Sequence, residues 1–170
     1  KKEAIKYYKM AIEKGNEVAM NNYAIMLSTG DGIPQDKKEA ASFYKKAADI
    51  GNLKAIKNYA DMLSNGDGIP MNKEEAAKYY QMAIDKGDTN SMALYAYMLY
   101  NGEGMPVNKG RAALLFEKAA NNGNAVAMYQ YGKLLHDGDG VKQNKYAAAL
   151  YYKMGTEEGN EEAMISYAFM

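Results

Sequence analysis

Apolar residues recur along this chain at three- and four-residue spacing, in short segments separated by glycine-containing turns. In one such segment, residues 16–29, Ala19, Tyr23 and Leu27 fall four residues apart. This spacing is the apolar stripe of an amphipathic helix and differs from the alternation of a half-buried strand. The pattern therefore predicts a helix over residues 16–29, which we call helix A.

A second amphipathic helix, helix B, follows each helix A. Its apolar positions in the first full copy again have helical spacing: Ala40, Phe43, Tyr44 and Ala47. The pair Gly15-Asn16 suits a tight junction, because glycine adopts the positive φ that ends one helix and the asparagine side chain caps the next. We therefore expect each helix B to turn directly into the next helix A.

A Gly-x-Gly loop joins helix A to helix B within each pair, as in Gly30-Asp31-Gly32. Predicted N-caps for helix B follow this loop in every copy: Asp36, Asn72, Asn108 and Asn144. Glu39 and Glu75 stand three residues after their caps, so we expect them to complete capping boxes.

The same columns of residues return every 36 positions without insertion. The glycine column is Gly15, Gly51, Gly87, Gly123 and Gly159, and a tyrosine column of helix A is Tyr23, Tyr59, Tyr95, Tyr131 and Tyr167. A single helix pair cannot bury both of its apolar faces, whereas stacked pairs can. The repeat therefore predicts an all-α fold, an α-solenoid of antiparallel helix pairs with about nine helices.

We expect one repeat array over residues 1–170. It begins with helix B of a truncated repeat (1–15), continues with four full repeats, and closes with a partial helix A (160–170). The full repeats are 16–51, 52–87, 88–123 and 124–159. Apolar residues at both ends would lie bare in such an array, among them Tyr7, Tyr8, Tyr167 and Phe169, so we expect a segment of a longer chain.

Composition narrows the possible functions. The 170 residues have a formal net charge of zero, and the longest basic runs are pairs, which argues against a nucleic-acid partner. The chain has no cysteine and hence no disulfide or thiolate metal site. No apolar run approaches the ~20 residues of a membrane span, and no signal peptide is visible, so we expect a cytoplasmic protein without membrane insertion.

The sequence offers no clear catalytic, metal or cofactor site. His136 is the only histidine, and one histidine cannot build a zinc site or a Ser-His-Asp triad. The Gly-Asp-Gly loops lack the neighbours of a phosphate-binding loop and have too few carboxylates for Ca²⁺. We therefore expect no metal, no cofactor and no enzymatic activity.

The chain resembles the Sel-one-like repeat, a branch of the tetratricopeptide helix-pair superfamily. The resemblance rests on one motif of the repeat: Ala40, Phe43, Tyr44, Ala47, Ala48, Gly51 and Asn52. It implies a right-handed α/α superhelix and a scaffold or adaptor that takes part in multiprotein complexes. It also implies that helix A lines the concave face, where a partner would bind.

Positions that vary between copies indicate where a partner could bind on helix A. They fall at three- and four-residue spacing: Val18, Asn21, Ile25, Ser28; Lys54, Lys57, Asp61, Ser64; Asn90, Ala93, Tyr97, Tyr100; Val126, Tyr129, Lys133, His136. Within them we predict a binding patch, because tyrosine is enriched at interaction hot spots. Its members are Lys57, Asp61, Tyr97, Tyr100, Tyr129, Lys133 and His136. The alternative is that these tyrosines pack against their neighbours within the fold.

The predicted function is that of a non-catalytic scaffold or adaptor that binds a peptide or partner helix on the concave face. A second possibility is a structural component of a large multiprotein assembly, held by several neighbours. A third is a hydrolase, since some relatives have been credited with that activity, but no nucleophile–base pair is visible here.

Overall fold

Ten helices and no strand make up the computed structural model, which describes residues 1–170. They are α1 Lys2–Glu13, α2 Glu17–Thr29, α3 Lys37–Ile50, α4 Leu53–Asn65, α5 Lys73–Asp85, α6 Thr89–Asn101, α7 Lys109–Asn121, α8 Ala125–Asp137, α9 Lys145–Glu157 and α10 Glu161–Ala168. Even-numbered helices are helix A of the repeat and odd-numbered ones are helix B. The all-α prediction is confirmed, with ten helices where about nine were expected: one from each partial repeat and two from each full repeat.

Each helix A begins at the predicted cap. The Asn16 side chain accepts a hydrogen bond from the backbone N–H of Ala19 at 2.8 Å, and Gly15 before it has φ 78°. Asn52, Asn124 and Asn160 cap their helices in the same way, and Asp88 does so for α6. A Gly-Asn or Gly-Asp pair therefore ends one helix and starts the next, as the sequence predicts.

The Gly-x-Gly loop closes through a backbone hydrogen bond that replaces the predicted capping box. The Asp36 side chain accepts from the N–H of Glu39 at 2.8 Å, which confirms the cap. The backbone N–H of Asp36 donates to the carbonyl of Leu27 at 2.9 Å and is not available to the Glu39 side chain. The capping box is wrong for Glu75 as well, because the Asn72 N–H donates to the Leu63 carbonyl at 2.8 Å. These bonds satisfy carbonyls at the end of helix A that would otherwise lack partners.

The chain divides into two compact units, Lys1–Lys86 and Gly87–Met170. The boundary falls at the junction between two predicted repeats. Within each unit, consecutive helices pack against each other as antiparallel pairs. No helix combines the length and the apolar character that a bilayer crossing requires.

Alanine and aromatic columns build the core of both units. Alanines of helix B such as Ala40, Ala76 and Ala112 are completely buried, which allows close approach of neighbouring helices. Edge-to-face aromatic pairs link helix A to helix B in three copies: Tyr23–Phe43, Tyr59–Tyr79 and Tyr131–Tyr151, with ring centroids 4.8–5.1 Å apart. In the remaining copy Leu115 takes the place of the second aromatic ring, and the Arg111 guanidinium lies 5.8 Å from the Tyr95 ring.

Salt bridges connect successive repeats within each unit. A lysine before or at the start of helix B pairs with the aspartate of the Gly-Asp-Gly loop 30 residues later: Lys1–Asp31, Lys37–Asp67 at 2.6 Å and Lys109–Asp139 at 2.8 Å. These pairs are exposed, so each adds little stability by itself. These pairs hold each loop against helix B of the preceding repeat, and one of them borders the site described below.

Candidate functional site

A cleft of about 290 Å³ opens on the helix-A side of the Gly87–Met170 unit. It lies between α6 and α8, and its lining comes from three helices: Tyr97, Tyr100 and Asn101 of α6, Phe116 of α7, and Gln130, Lys133 and Leu134 of α8. Phe116 and Leu134 are buried and form an apolar floor. The remaining side chains form a polar rim, an arrangement typical of binding clefts.

The repeat itself brings Tyr97 and Lys133 to the same cleft. The two residues occupy the same column, 36 positions apart, on successive A helices. The first turns of these helices are tied together, because the Asn124 side chain donates to the Asn90 side-chain carbonyl at 2.7 Å. Equivalent positions on the two helices therefore face the same side of the unit.

Tyr97 and Lys133 are two residues of the predicted patch that remain available to a ligand on the rim. Tyr97 is 49% exposed, and its hydroxyl has no hydrogen-bond partner within the protein. Lys133 is exposed and forms no salt bridge. The sequence predicts both as binding residues, and the structure places both on the rim of one cleft.

Tyr100 has a structural role in addition to its place in the lining. Its hydroxyl donates to the Asp139 carboxylate at 2.6 Å, and the Lys109 ammonium lies 4.9 Å from the centre of its ring. The hydrogen bond to Asp139 is the main cause of a raised pKa of the Tyr100 hydroxyl. The hydrogen bond from Lys109, followed by that from Tyr100, lowers the pKa of Asp139. The Tyr100 ring therefore lines the cleft, while the Tyr100 hydroxyl is hydrogen-bonded to Asp139.

Tyr129 and His136 lie away from this cleft. The Tyr129 ring packs near Tyr152, with ring centroids 6.1 Å apart, and is half buried. His136 lies 2.7 Å from the Asp137 carboxylate and lines a second cavity with Tyr152 and residues of α10. The patch predicted from the sequence is therefore split between two places.

Lys57 and Asp61 belong to α4, in the Lys1–Lys86 unit, and the cleft is built without them. The Asp61 carboxylate accepts a hydrogen bond from the Tyr80 hydroxyl at 2.6 Å. Burial, reinforced by this hydrogen bond, raises the pKa of Tyr80. Asp61 therefore takes part in the packing of α4 against α5, in addition to any role at the surface.

Most of the positions that vary between copies lie at the surface, but some of them are buried. Val18, Ile25, Tyr97 and Val126 are well exposed, as expected for variable columns. Two members of another variable column are buried, because Asn21 is 2% and Ala93 is 7% exposed. The Asn21 amide is satisfied inside the structure: its carbonyl accepts from Asn58 and its amino group donates to Asn22, both at 3.3 Å. The surface prediction is therefore wrong for Asn21 and Ala93.

Gln130 and Asn101 line the cleft although they are not among the residues predicted from the sequence. Gln130 belongs to a column occupied by Asn22, Asn58 and Leu94 in the other copies. This column varies as strongly as those chosen, so the same signal would have found it. Leu94, its exposed member on α6, extends apolar surface beyond the cleft next to Tyr97.

The cleft combines an apolar floor with polar side chains on its rim, several of which have no partner within the protein. No group of three or more histidine, aspartate or glutamate side chains is placed to hold a metal ion. The fully buried Ser91 hydroxyl, which has no partner, lies in the first turn of α6 and does not line the cleft.

Comparison with known families gives a match over almost the whole chain. The family model described as Sel1 repeat matches residues 1–16, 18–52, 53–88, 89–124 and 125–160. These segments agree within two residues with the repeats predicted from the 36-residue period. No match was found among curated proteins.

Several solved structures are similar to this chain. A protective antigen of uropathogenic Escherichia coli with an SLR fold is 27% identical, with a TM-score of 0.92 over 97% of this chain. A Sel1 repeat protein from Oxalobacter formigenes is 30% identical, with a TM-score of 0.83 over 90% of this chain. Cysteine-rich protein B of Helicobacter pylori is 26% identical, with a TM-score of 0.56, over 74% of this chain and 90% of its own length. This chain spans 35% of the first protein and 62% of the second.

Proposed function

Because the chain belongs to the Sel1 repeat family, whose members are generally protein–protein interaction scaffolds, we propose that it binds a peptide or a partner helix in the α6–α8 cleft. Sel1 repeat proteins bind other proteins and are typically not enzymes. The proposal extends this family property to one surface of this chain.

The observation that carries the proposal is the half-exposed Tyr97 at the rim of a cleft with a buried apolar floor. An aromatic ring that is already held on a helix loses little conformational entropy on binding and adds a large contact area. Tyr97 has no hydrogen bond to satisfy within the protein, so its hydroxyl is free to bond a partner. Phe116 and Leu134 below it supply the apolar contacts on which such anchors depend.

The proposed role is non-catalytic. The cleft brings together three aromatic rings, two side-chain amides, one leucine and one lysine, with no carboxylate in its lining. Such a set can hold a chain segment by apolar contact and hydrogen bonds, without requiring any bond to be broken.

A matched pair of variants tests the proposal in affinity purification from the native source. Tyr97→Ala removes the proposed anchor, whereas Tyr146→Ala removes an 87% exposed tyrosine on α9, away from the cleft. We expect a co-purifying protein to be lost with Tyr97→Ala and retained with Tyr146→Ala. Retention in both variants, with both folded as judged by circular dichroism, would rule out Tyr97 as the anchor.

A second candidate function, a structural component held by several neighbours, is favoured by one observation on the B helices. Leu114 of α7 and Leu150 of α9 are exposed in a column that holds Lys6, Ser42 and Lys78 in the other unit. Two exposed apolar residues on successive B helices of one unit provide a second contact surface. If this candidate is correct, Leu114→Ser with Leu150→Ser will release partners that Tyr97→Ala does not.

A further inference from the structure

Unpaired hydrogen-bond donors dominate the rim of the α6–α8 cleft. The Lys133 ammonium, the Gln130 amino group and the Tyr97 hydroxyl have no hydrogen-bond partner within the protein. The acceptors in the lining are all neutral oxygens: the Gln130 and Asn101 side-chain carbonyls and the tyrosine hydroxyls. The cleft therefore has no charged acceptor for its lysine, and a partner that completes it must bring one.

The carboxylates near the cleft do not form a salt bridge with Lys133, because each accepts hydrogen bonds from other residues. Asp139 accepts from Tyr100 and Lys109, at 2.6 and 2.8 Å. Glu103 accepts from the Asn101 amide at 3.4 Å, and Asp137 pairs with His136 at 2.7 Å. Lys133 attracts the Asp139 carboxylate electrostatically but forms no salt bridge or hydrogen bond with it, so the Lys133 ammonium remains exposed beside an apolar floor.

From this charge and donor imbalance we infer that the partner segment presents an aspartate or glutamate side chain to Lys133, next to an apolar residue that packs on Tyr97. This inference rests on the proposed function and specifies the chemistry of its partner. A carboxylate supplies several acceptor sites at once and neutralises the lysine. Leu94 and Val126, both exposed on the same faces of α6 and α8, supply apolar contact for the residues that flank the acidic side chain.

The test begins with selection of 16-residue peptides from a random display library on the whole chain. We expect the selected peptides to be enriched in aspartate or glutamate beside leucine, isoleucine or phenylalanine. Binding of one selected peptide and of its Glu→Gln counterpart is then measured by fluorescence polarisation, on the original chain and on Lys133→Gln.

The Glu→Gln change in the peptide and the Lys133→Gln change in the chain should act through one contact. Each alone should weaken binding about two- to fivefold, the effect of one partly exposed charge pair. The two together should weaken it little further than either alone, which is the mark of a direct pair. Lys54→Gln, an exposed lysine on helix α4, is the matched control and should leave affinity unchanged.

Failure of this inference can be told apart from failure of the proposed function. Peptides that depend on Tyr97 but show no acidic preference, or that bind Lys133→Gln equally well, would overturn the inference and leave the proposed site intact. A selection with no peptide sensitive to either Tyr97→Ala or Lys133→Gln would overturn both.

Discussion

The hydroxyl of Tyr100, at the end of α6, donates to the Asp139 carboxylate in the loop after α8, over 2.6 Å. The two residues lie 39 positions apart, so the bond joins one repeat to the next. The Lys109 ammonium completes the cluster with a hydrogen bond of 2.8 Å to the same carboxylate. Tyr100 is the only tyrosine in its column, where Ser28, Ser64 and His136 stand in the other copies. This contact is therefore peculiar to the repeat that carries the cleft.

Replacing Tyr100 should change the acid sensitivity of the fold. The hydrogen bonds from Lys109 and Tyr100 lower the pKa of Asp139 below its ordinary value of 3.8. A lowered pKa contributes stability that is present above the ordinary value and is lost as the pH falls through the pKa of the folded state. In Tyr100→Phe, the melting temperature should be lower at pH 6, and the difference should shrink by pH 3.

Thermal melts monitored by circular dichroism between pH 6 and pH 3 check this expectation. Tyr97→Phe is the control, because the Tyr97 hydroxyl has no partner and its removal should leave the profile unchanged. A constant difference between Tyr100→Phe and the original chain at every pH would show that the Asp139 charge does not stabilise the contact.

Alanine substitutions at three glycines should change the free energy of unfolding by amounts that follow a fixed order. Gly110 lies on the exposed side of α7, and an added Cβ would meet no atom closer than 3.8 Å. Gly123 has φ 87° with open space around it, whereas Gly140 has φ 75° and a Cβ there would lie 2.7 Å from the Lys109 carbonyl oxygen. Gly110→Ala should raise the free energy of unfolding by about 0.5 kcal/mol. Gly123→Ala should lower it by about 1 kcal/mol through backbone strain alone.

Gly140→Ala should be the most destabilising of the three, by about 3 kcal/mol, because overpacking against rigid backbone adds to the strain. Urea denaturation of the three variants gives the order directly. If Gly140→Ala lowers the free energy of unfolding no more than Gly123→Ala does, the Gly-Asp-Gly loop is not packed tightly against the Lys109 backbone, since only Gly140 has a close backbone neighbour.

Ser91→Ala should stabilise the chain. The Ser91 hydroxyl is fully buried and has no hydrogen-bond partner, while alanine occupies the same column at Ala19, Ala55, Ala127 and Ala163. Removing an unsatisfied buried hydroxyl avoids its desolvation cost, so the free energy of unfolding should rise by about 1 kcal/mol. Calorimetry of Ser91→Ala beside Ser28→Ala checks this, because the Ser28 hydroxyl donates to the Ile25 carbonyl at 3.1 Å. A lower melting temperature for Ser91→Ala would mean that the hydroxyl contributes to stability.

Local chemistry made much of the fold predictable from the sequence. The caps at Asn16 and Asp36 and the left-handed glycine at Gly15 depend on residues within a few positions of each other, which a repeated pattern reveals. The capping box at Glu39 failed because a distant carbonyl, that of Leu27, takes the N–H it needed. A local motif does not show whether a carbonyl elsewhere in the chain competes for the same N–H.

The candidate site was predictable only in part. Column variation found Tyr97 and Lys133, because both project from the same position on successive A helices. It did not reveal that Asp139 engages the Tyr100 hydroxyl, or that Tyr129 turns towards Tyr152. Those contacts depend on side-chain directions and on loops between helices, which the repeat period alone does not determine.

Site-specific photo-crosslinking tests the central claim most directly. A photoreactive phenylalanine analogue is placed at Tyr97 in one protein and at Tyr146 in another, and the two are irradiated with extract from the native source. The proposed function predicts a crosslinked protein partner from position 97 and none, or far less, from the more exposed position 146. A partner crosslinked at position 146 and absent at position 97 would contradict binding in the α6–α8 cleft.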